Sequence, residues 1–222
     1  PKPSEEPPPS PSVYDGPVNP LSGLPADESV VNNRPYAVMI NDIAAAQPQL
    51  GVSQADIIYE IVVEGGITRM MALFQDVSDV GDIGSIRSAR PYFVRIALGY
   101  DSIYIHAGGS TDAYSVIKST QLLHYDGVHG PGDAIFFRDA ERRRELGYEH
   151  SLLTSGGLIT EHIPQYGPRL EHRDGFDCGL SFSPDAAPTD GTQAQNIKVY
   201  LSSSKTTSFA YSEEDGVYYL NQ

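Results

Sequence analysis

Cysteine, tryptophan and basic side chains are scarce in this sequence of 222 residues. The single cysteine, Cys178, allows no disulfide between these residues, and no zinc motif of cysteine and histidine can be built around it. Acidic residues number 29 against 15 lysines and arginines, so the formal net charge is −14. Because nucleic acids and anionic lipid surfaces are bound through basic surface, this charge excludes broad binding to either.

Long apolar runs are absent as well. The best candidate for a membrane helix, IIYEIVV at 57–63, is far shorter than the roughly 18 residues needed and contains Glu60. The stretch PKPSEEPPPSPS at 1–12 lacks the apolar core of a signal peptide. Nine of the 17 prolines lie in residues 1–25, which predicts an extended tether. Such a tether either follows a membrane anchor present in the precursor or is a disordered tail without one.

Strands and helices alternate in residues 26–175, which predicts an α/β or α+β ligand-binding domain with a mixed sheet flanked by helices. The predicted strands are 36–41, 67–74 and 102–107, and the predicted helices are 88–99, 111–119 and 154–165. Their helix caps are Ser88, Thr111 or Asp112, and Thr154. The stretch QADIIYE at 54–60 fits a helix or a strand, and the helix is favoured because Ser53 could cap it. The charged run DAERRRE at 139–145 is predicted to be a solvated surface segment.

Residues 176–222 are rich in predicted strands. These are LSFSP at 180–184, NIKVYLS at 196–202, TTSFAYS at 206–212 and VYYLNQ at 217–222. Asp215-Gly216 between the last two strands is typical of a hairpin turn. Because so few strands make a thin module, this region is predicted to be the start of a β-rich C-terminal domain.

Positive charge is concentrated near the middle of the chain. Residues 83–100 contain Arg87, Arg90 and Arg95 but no acid. Arginine offers a planar fork of donors that suits carboxylate and phosphate groups. Arg87 and Arg90 lie at the predicted helix start, where free backbone N–H groups also attract anions. These features predict an anion site; the alternative is that the arginines pair with the chain's many acids.

Two further segments contain candidate catalytic side chains. In EIVVEGGITR, the even spacing of Glu60 and Glu64 places them on one face of a helix or a strand, followed by Arg69. They could orient the arginine or act as acid and base, or they could form structural ion pairs. In IHAGGSTD, a strand ends at His106, a possible base, and a Gly-Gly turn leads to Ser110. Ligands gather at such carboxyl ends of strands, although plain turn geometry is the alternative.

The loop HYDGVHGPGD carries potential metal ligands. His124, Asp126, His129 and Asp133 could bind zinc or a harder cation. Their spacing matches no metal signature, so neither a metal nor a cofactor is predicted.

The runs NRPYAVMIND, ADIIYEIVVEGGITRMMALFQ and IGSIRSARPYFVRIALGYDSIYIHAGGS closely resemble the YerB-like family of Gram-positive lipoproteins, which is named as a domain of unknown function. The resemblance covers residues 18–165, and residues from 196 onward resemble the opening of the family's C-terminal domain. Residues that match the family's motifs are Glu64, Gly65, Gly66, Thr68, Arg69, Arg87, Ser88, Arg90, His106, Gly108, Gly109, Ser110, Arg138, Asp139, His150 and Thr154. The segment EHSLLTS departs from the family pattern PHNLYTS at Glu149, Ser151 and Leu153.

The resemblance implies a lipid anchor upstream of Pro1 and an address on the outer face of the cell membrane, but no reaction. We therefore expect a domain that binds an anionic ligand of the cell envelope bearing phosphate or carboxylate groups. The expected ligand-binding residues are Arg69, Arg87, Ser88, Arg90, Gly108, Gly109, Ser110, Arg138 and His150. One alternative is a hydrolase or transferase acting on a phosphoryl or glycosyl group of an envelope polymer, with Glu64 and His106 as catalytic residues. The other is a non-catalytic scaffold for protein interactions.

Overall fold

The structure is a computed structural model that describes residues 15–130, 132–182 and 191–221. The strands in these ranges are β1 Tyr36–Asn41, β2 Ile57–Val62, β3 Thr68–Phe74, β4 Asp82–Gly84, β5 Ile103–His106, β6 His124–Asp126, β7 Phe137–Arg138, β8 Leu152–Ser155, β9 Asn196–Tyr200, β10 Thr206–Ser212 and β11 Val217–Asn221. The α-helices are α1 Glu28–Val31, α2 Pro91–Gly99, α3 Thr111–Thr120, α4 Ala140–Glu145 and α5 Gly156–His162.

A mixed five-stranded sheet forms the centre of the molecule. Its strand order is β2-β3-β1-β5-β6, with β1 antiparallel to β3 and parallel to β5. A second sheet has the order β4-β8-β7, and a third, at the C-terminal end, has the order β11-β10-β9. This arrangement confirms the predicted fold class, a mixed sheet flanked by helices and followed by a small β module.

The central strands carry apolar side chains on both faces of the sheet, and each face is buried in its own hydrophobic cluster. Successive side chains of a strand point to opposite faces. Ile40 and Met70 belong to one buried cluster, whereas Met39 and Met71 belong to the other, which includes buried residues of α2 and α3. Continuous apolar strands such as MMALF are typical of this double coverage.

Residues 85–89 are inserted between the ends of β1 and β5. Asn41 donates its backbone N–H to the Ser85 carbonyl at 2.9 Å, and Arg87 donates to the Met39 carbonyl at 2.9 Å. On the other side of the segment, Ala107 donates to the Arg87 carbonyl at 3.0 Å. The segment that contains Arg87 and leads to Arg90 therefore lies at the carboxyl end of two parallel strands.

The predicted helix at 54–60 is wrong. This stretch contains β2, which pairs with β3 in antiparallel register from Ile57 opposite Leu73 to Val62 opposite Thr68. The β-branched run suits a strand, and the neighbouring strand decides between two locally acceptable structures.

Three predicted helix starts are displaced along the chain. Helix α2 is capped by Arg90 rather than Ser88, and the Ser110 side chain caps α3 in place of Thr111 or Asp112. Thr154 lies inside β8, and the side chain of Ser155 caps the helix that follows. In α3 and α5, the capping oxygen belongs to a serine next to the predicted position, Ser110 before Thr111 and Ser155 after Thr154.

The charged run at 139–145 is not entirely solvated. It forms α4, in which Arg142 is only 9% exposed. Its guanidinium donates to the carbonyls of Ala46, Pro48 and His150 at 2.6, 2.9 and 3.1 Å. Arg142 therefore joins the loop after β1 to the loop before β8.

The ends of the chain are described in part. Residues 1–14 of the predicted tether lie outside the described residues, while Leu21 is buried and the Asn19 amide donates to Asp56 at 2.8 Å.

The predicted hairpin is confirmed by the antiparallel pairing of β10 and β11. Of the predicted strand at 180–184, residues 180–182 form no strand and the remainder lies outside the described residues. The domain boundaries at 25 and 175 stay predictions.

Among the described helices, none combines the length and the apolar character needed to cross a membrane.

Candidate functional site

Three arginines, which we call the arginine cluster, lie at the carboxyl edge of β1 and β5: Arg69, Arg87 and Arg90. Arg69 is paired with Asn41 across β3 and β1 and is only 6% exposed. Its Nη1 donates to the carbonyl oxygen of Ser88 at 2.7 Å. Burial and the nearby charges of Arg90 and Arg87 lower the pKa of Arg69 to about 10. Arg69 thus remains a buried cation at neutral pH with two further cations beside it.

Arg90 forms a bidentate ion pair with Glu64. Its Nε and Nη2 donate to the two carboxylate oxygens at 2.6 and 2.9 Å. The Glu64 side chain is 67% exposed, so the pair lies at the surface. The hydrogen bonds from Arg90 lower the pKa of Glu64 to about 2. Glu64 is therefore ionised at neutral pH and is a poor general acid or base, as its pKa is far from the working pH.

Arg87 has one acidic partner and, among the described residues, a buried donor atom without a partner. Its Nη2 donates to Glu149 at 3.1 Å, and the Glu149 side chain is 70% exposed. Its Nε is buried and has no hydrogen-bond partner among the described residues. His150 lies beside this pair, with its Nδ1 3.0 Å from the Asn41 amide nitrogen. Burial and the charge of Arg87 lower the pKa of His150.

His106 is fully buried at the end of β5. Its Nδ1 lies 2.8 Å from the Gly108 carbonyl, which can only accept, so Nδ1 carries the hydrogen. Its Nε2 then accepts from Nδ1 of His124 at 2.9 Å. Burial lowers the pKa of His106 to about 4. Both ring nitrogens are occupied, and this geometry gives the predicted role of His106 as a base no support.

The turn after β5 is held from within the protein. Asp126 accepts from the Gly108 N–H at 2.7 Å and from the Tyr114 hydroxyl at 2.6 Å. The Ser110 N–H donates to the Ala89 carbonyl at 3.3 Å, and Gly109 forms a bridge with Ala89. The amides of Gly108 and Ser110 therefore stabilise the turn, and the turn packs against the segment that carries the arginines.

Two other predicted site residues have structural contacts. The Ser110 side chain accepts from Ala113 as the cap of α3, at 3.2 Å. Arg138 donates to the Tyr148 carbonyl at 2.7 Å, and its guanidinium lies 3.5 Å from the centre of the Tyr148 ring. Arg138 thus positions the loop that presents Glu149 to the arginine cluster.

A second charged cluster, missed by the sequence analysis, joins the C-terminal sheet to the central sheet. Lys205 lies 3.0 Å from Asp42 and 3.2 Å from Glu60. Thr207 donates to Glu60 at 2.6 Å, and Thr68 donates to Asp42 at 2.5 Å. Burial raises the pKa of Asp42. We call these five residues the junction cluster.

The predicted alignment of Glu60 with Glu64 is wrong. β2 ends at Val62, so Glu60 points from the strand to Lys205 while Glu64 lies in a turn and pairs with Arg90. The two carboxylates therefore cannot serve as one acid–base pair in this arrangement.

The described parts of the chain contain no group of three or more histidine, cysteine, aspartate and glutamate side chains placed to hold a metal ion. Two cavities, of about 380 and 660 Å³, are lined by residues outside the arginine cluster. The arginine cluster is thus reached from the surface at Glu64 and Glu149 rather than through either cavity.

Residues 21–169 match the N-terminal domain of a family described as "Protein of unknown function (DUF3048)". The chain is 33% identical over 188 residues to the Bacillus subtilis (strain 168) protein named "Putative lipoprotein YerB". This match covers 85% of the chain and 54% of the relative, so the chain spans about half of the curated relative's length. A crystal structure of YerB protein from Bacillus subtilis matches with a TM-score of 0.75 and 30% identity, over 92% of this chain and 66% of that one.

Proposed function

The chain belongs to the DUF3048 family, and we propose that its domain binds an anionic ligand of the cell envelope through Arg69, Arg87 and Arg90. The relative in Bacillus subtilis is named as a lipoprotein, which supports a place on the outer face of the membrane. In that setting the membrane contact comes from a lipid anchor. The ligand would be a polymer or precursor bearing phosphate or carboxylate groups.

The single observation that carries the proposal is the Nε of Arg87, a buried atom without a partner among the described residues, on a side chain that is 26% exposed and lies near the buried guanidinium of Arg69. Buried charged donors are normally hydrogen-bonded, because leaving one unpaired costs about 1–3 kcal/mol or more. A phosphate or carboxylate oxygen would satisfy this donor. It would also neutralise the repulsion between neighbouring guanidinium groups.

The charge balance supports an exogenous anion. Three guanidinium groups meet two carboxylates, those of Glu64 and Glu149, and both are mostly exposed. Exposed ion pairs with a single hydrogen bond contribute only about 0–1 kcal/mol, so a ligand can displace Glu149 at little cost, whereas displacing Glu64 from its bidentate pair costs more. The forked donors of Arg87 and Arg90 would then bind phosphate or carboxylate oxygens in place of the glutamates.

Binding can be measured by isothermal titration calorimetry with inorganic pyrophosphate and with soluble poly(glycerol phosphate). We expect Arg87→Gln combined with Arg90→Gln to weaken binding about tenfold or more, since each lost charge-assisted hydrogen bond costs about 1.5 kcal/mol or more. Glu64→Gln combined with Glu149→Gln should strengthen binding about threefold, because two competing carboxylates are removed.

A matched control separates local contacts from net charge. Arg95 and Arg144 are exposed and lie outside the arginine cluster. Arg95→Gln combined with Arg144→Gln changes the net charge equally and should leave the affinity unchanged. Equal weakening by the two double variants, or no binding by the wild-type protein, would contradict the proposal.

Catalysis draws no support from the two candidate catalytic residues. Glu64 is held ionised by Arg90, and both ring nitrogens of His106 are occupied by neighbours. Binding is therefore the function that this geometry favours over hydrolysis or transfer.

A further inference from the structure

The smaller of the two cavities, about 380 Å³, lies at the opposite end of the central sheet from the arginine cluster. It is lined by Pro35, which precedes β1, and by Gln75, which follows β3. These positions flank the pairing of Tyr36 with Phe74, whereas the arginine cluster lies near the pairing of Asn41 with Arg69. The cavity and the arginine cluster thus share no residue.

Apolar side chains form most of the cavity lining. Six of them come from two segments that pack together, and they are Val18, Pro20, Leu21, Phe176, Leu180 and Phe182. Small-molecule sites are typically cavities of about 300–1,000 Å³ lined by apolar side chains with a few polar groups. This cavity is near the lower end of that range, which suits a small apolar ligand.

One buried acceptor in the lining has no partner. Gln75 is 2% exposed, and its Nε2 donates to the carbonyls of Val30 and Asn33 at 2.7 and 2.8 Å. These two bonds fix the orientation of the amide, because a flipped amide would place its oxygen against two carbonyl oxygens. The Oε1 atom faces no donor among the described residues. A hydroxyl or N–H group of a ligand in the cavity would satisfy this acceptor.

The other polar side chains in the lining already have partners. His172 lies 3.2 Å from Asp101 and stacks on Phe176, and the Asn32 amide contacts Glu171 at 3.5 Å. Asp177, the carboxylate in the lining, is exposed and accepts from the Gly179 N–H at 2.7 Å. The buried part of the wall is apolar and has a single free acceptor among the described residues, so it favours a neutral donor over a charged one, whose burial against apolar side chains is costly.

We infer that this cavity binds a small neutral amphiphile, an alcohol with a short apolar chain, whose hydroxyl donates to Gln75 Oε1. The chain of the alcohol contacts the apolar lining. This site is independent of the proposed anion binding, and either could fail without the other.

The test compares 1-octanol with heptyl methyl ether, which has the same atoms but no donor. Calorimetry should show that the alcohol binds about three- to tenfold more tightly, the value of one net hydrogen bond. Cys178 also lines the cavity and is the chain's one cysteine, so its alkylation rate reports occupancy. Saturating alcohol should slow alkylation by N-ethylmaleimide severalfold.

A cavity-filling variant provides the control. Leu180 is 39% exposed, so Leu180→Trp should fold while occupying part of the cavity. It should lose alcohol binding, whereas Val217→Trp, an exposed site on β11, should retain it. Absence of wild-type binding up to the solubility limit of the alcohol, or equal affinity for alcohol and ether, would overturn the inference.

Discussion

Arg90 holds Glu64 by two parallel hydrogen bonds of 2.6 and 2.9 Å, although the Glu64 side chain is 67% exposed. The pair joins the turn after β2 to the residue that caps α2. Because the guanidinium of Arg90 binds two carboxylate oxygens at the surface, it can bind two oxygens of a dissolved phosphate or carboxylate group in the same way. It also removes Glu64 from acid–base chemistry at neutral pH.

The first prediction concerns the titration of Glu64. In the wild-type protein its carboxyl carbon should titrate at about pH 2, measured by NMR with selectively labelled glutamate. Arg90→Gln should return its pKa toward the ordinary value of 4.5, because the first cause of the shift is the Arg90 hydrogen bond. Because the folded pKa is depressed, the pair stabilises the protein above the unfolded pKa. That stability is lost as the pH falls toward 2. An unchanged Glu64 titration in the variant would assign the shift to another cause.

The second prediction concerns His106 and acid stability. Its folded pKa of about 4 lies below the ordinary 6.5, so the unfolded chain binds a proton that the folded protein resists. The contribution of neutral His106 to the free energy of unfolding is fully present above pH 6.5. It falls by about 3 kcal/mol as the pH drops to 4. His106→Gln should flatten this part of the pH profile in urea denaturation.

Neighbouring groups contribute to the same window. Burial also lowers the pKa of His124, which faces His106, whereas Asp126 favours the charged form of both rings. The informative quantity is therefore the difference in slope between wild type and variant. His129 is exposed, and His129→Gln should leave the slope unchanged. Equal slopes in wild type and His106→Gln would contradict the assignment.

The third prediction concerns Arg142. Arg142→Met leaves the carbonyls of Ala46, Pro48 and His150 without their donor and should destabilise the protein by at least about 2 kcal/mol. Arg142→Lys should recover only part of this loss, because lysine lacks the fork that reaches three acceptors. Chemical denaturation gives the free energies. Arg144→Met, on the exposed side of the same helix, should change stability by less than about 0.5 kcal/mol.

The fourth prediction concerns the junction cluster. Lys205→Met leaves Asp42 and Glu60 without their cation and should destabilise the protein by about 3 kcal/mol at neutral pH. Without the cation, the pKa values of both carboxyl groups rise in the folded state. The variant should therefore recover stability relative to wild type as the pH falls from 7 to 5.

Lys198 is the matched control, because it is exposed on β9 of the same small sheet. Lys198→Met should show neither the loss nor the recovery in urea denaturation. A similar pH response of the two variants would mean that Lys205 acts through net charge rather than through contact with the carboxylates.

The sequence predicts the strands that are buried on both faces, since an uninterrupted apolar run such as YAVMIN has few alternatives. It fails where a distant partner decides the structure. The 54–60 stretch is a strand because β3 lies beside it, and Lys205 reaches Asp42 from far along the chain. In the sequence Arg142 looks the same as the exposed arginines that follow it. Only its hydrogen bonds to three carbonyls distinguish it in the structure.

Part of the arginine cluster could be predicted from the sequence. Arg87 and Arg90 are close in sequence and stand in a stretch without acids, whereas Arg69 joins them only because β3 pairs with β1. Asn41, at the carboxyl end of a buried strand, could have been predicted beside them from strand position alone. No local signal identifies the exposed Glu149 as the partner of Arg87.

The most direct test of anion binding observes the guanidinium groups themselves. In an NMR titration with inorganic phosphate, the Nε–Hε resonances of Arg69, Arg87 and Arg90 should shift along one saturable curve. Those of Arg142 and Arg144 should remain in place. Unchanged resonances in the arginine cluster, or equal shifts at Arg144, would contradict a specific anion site.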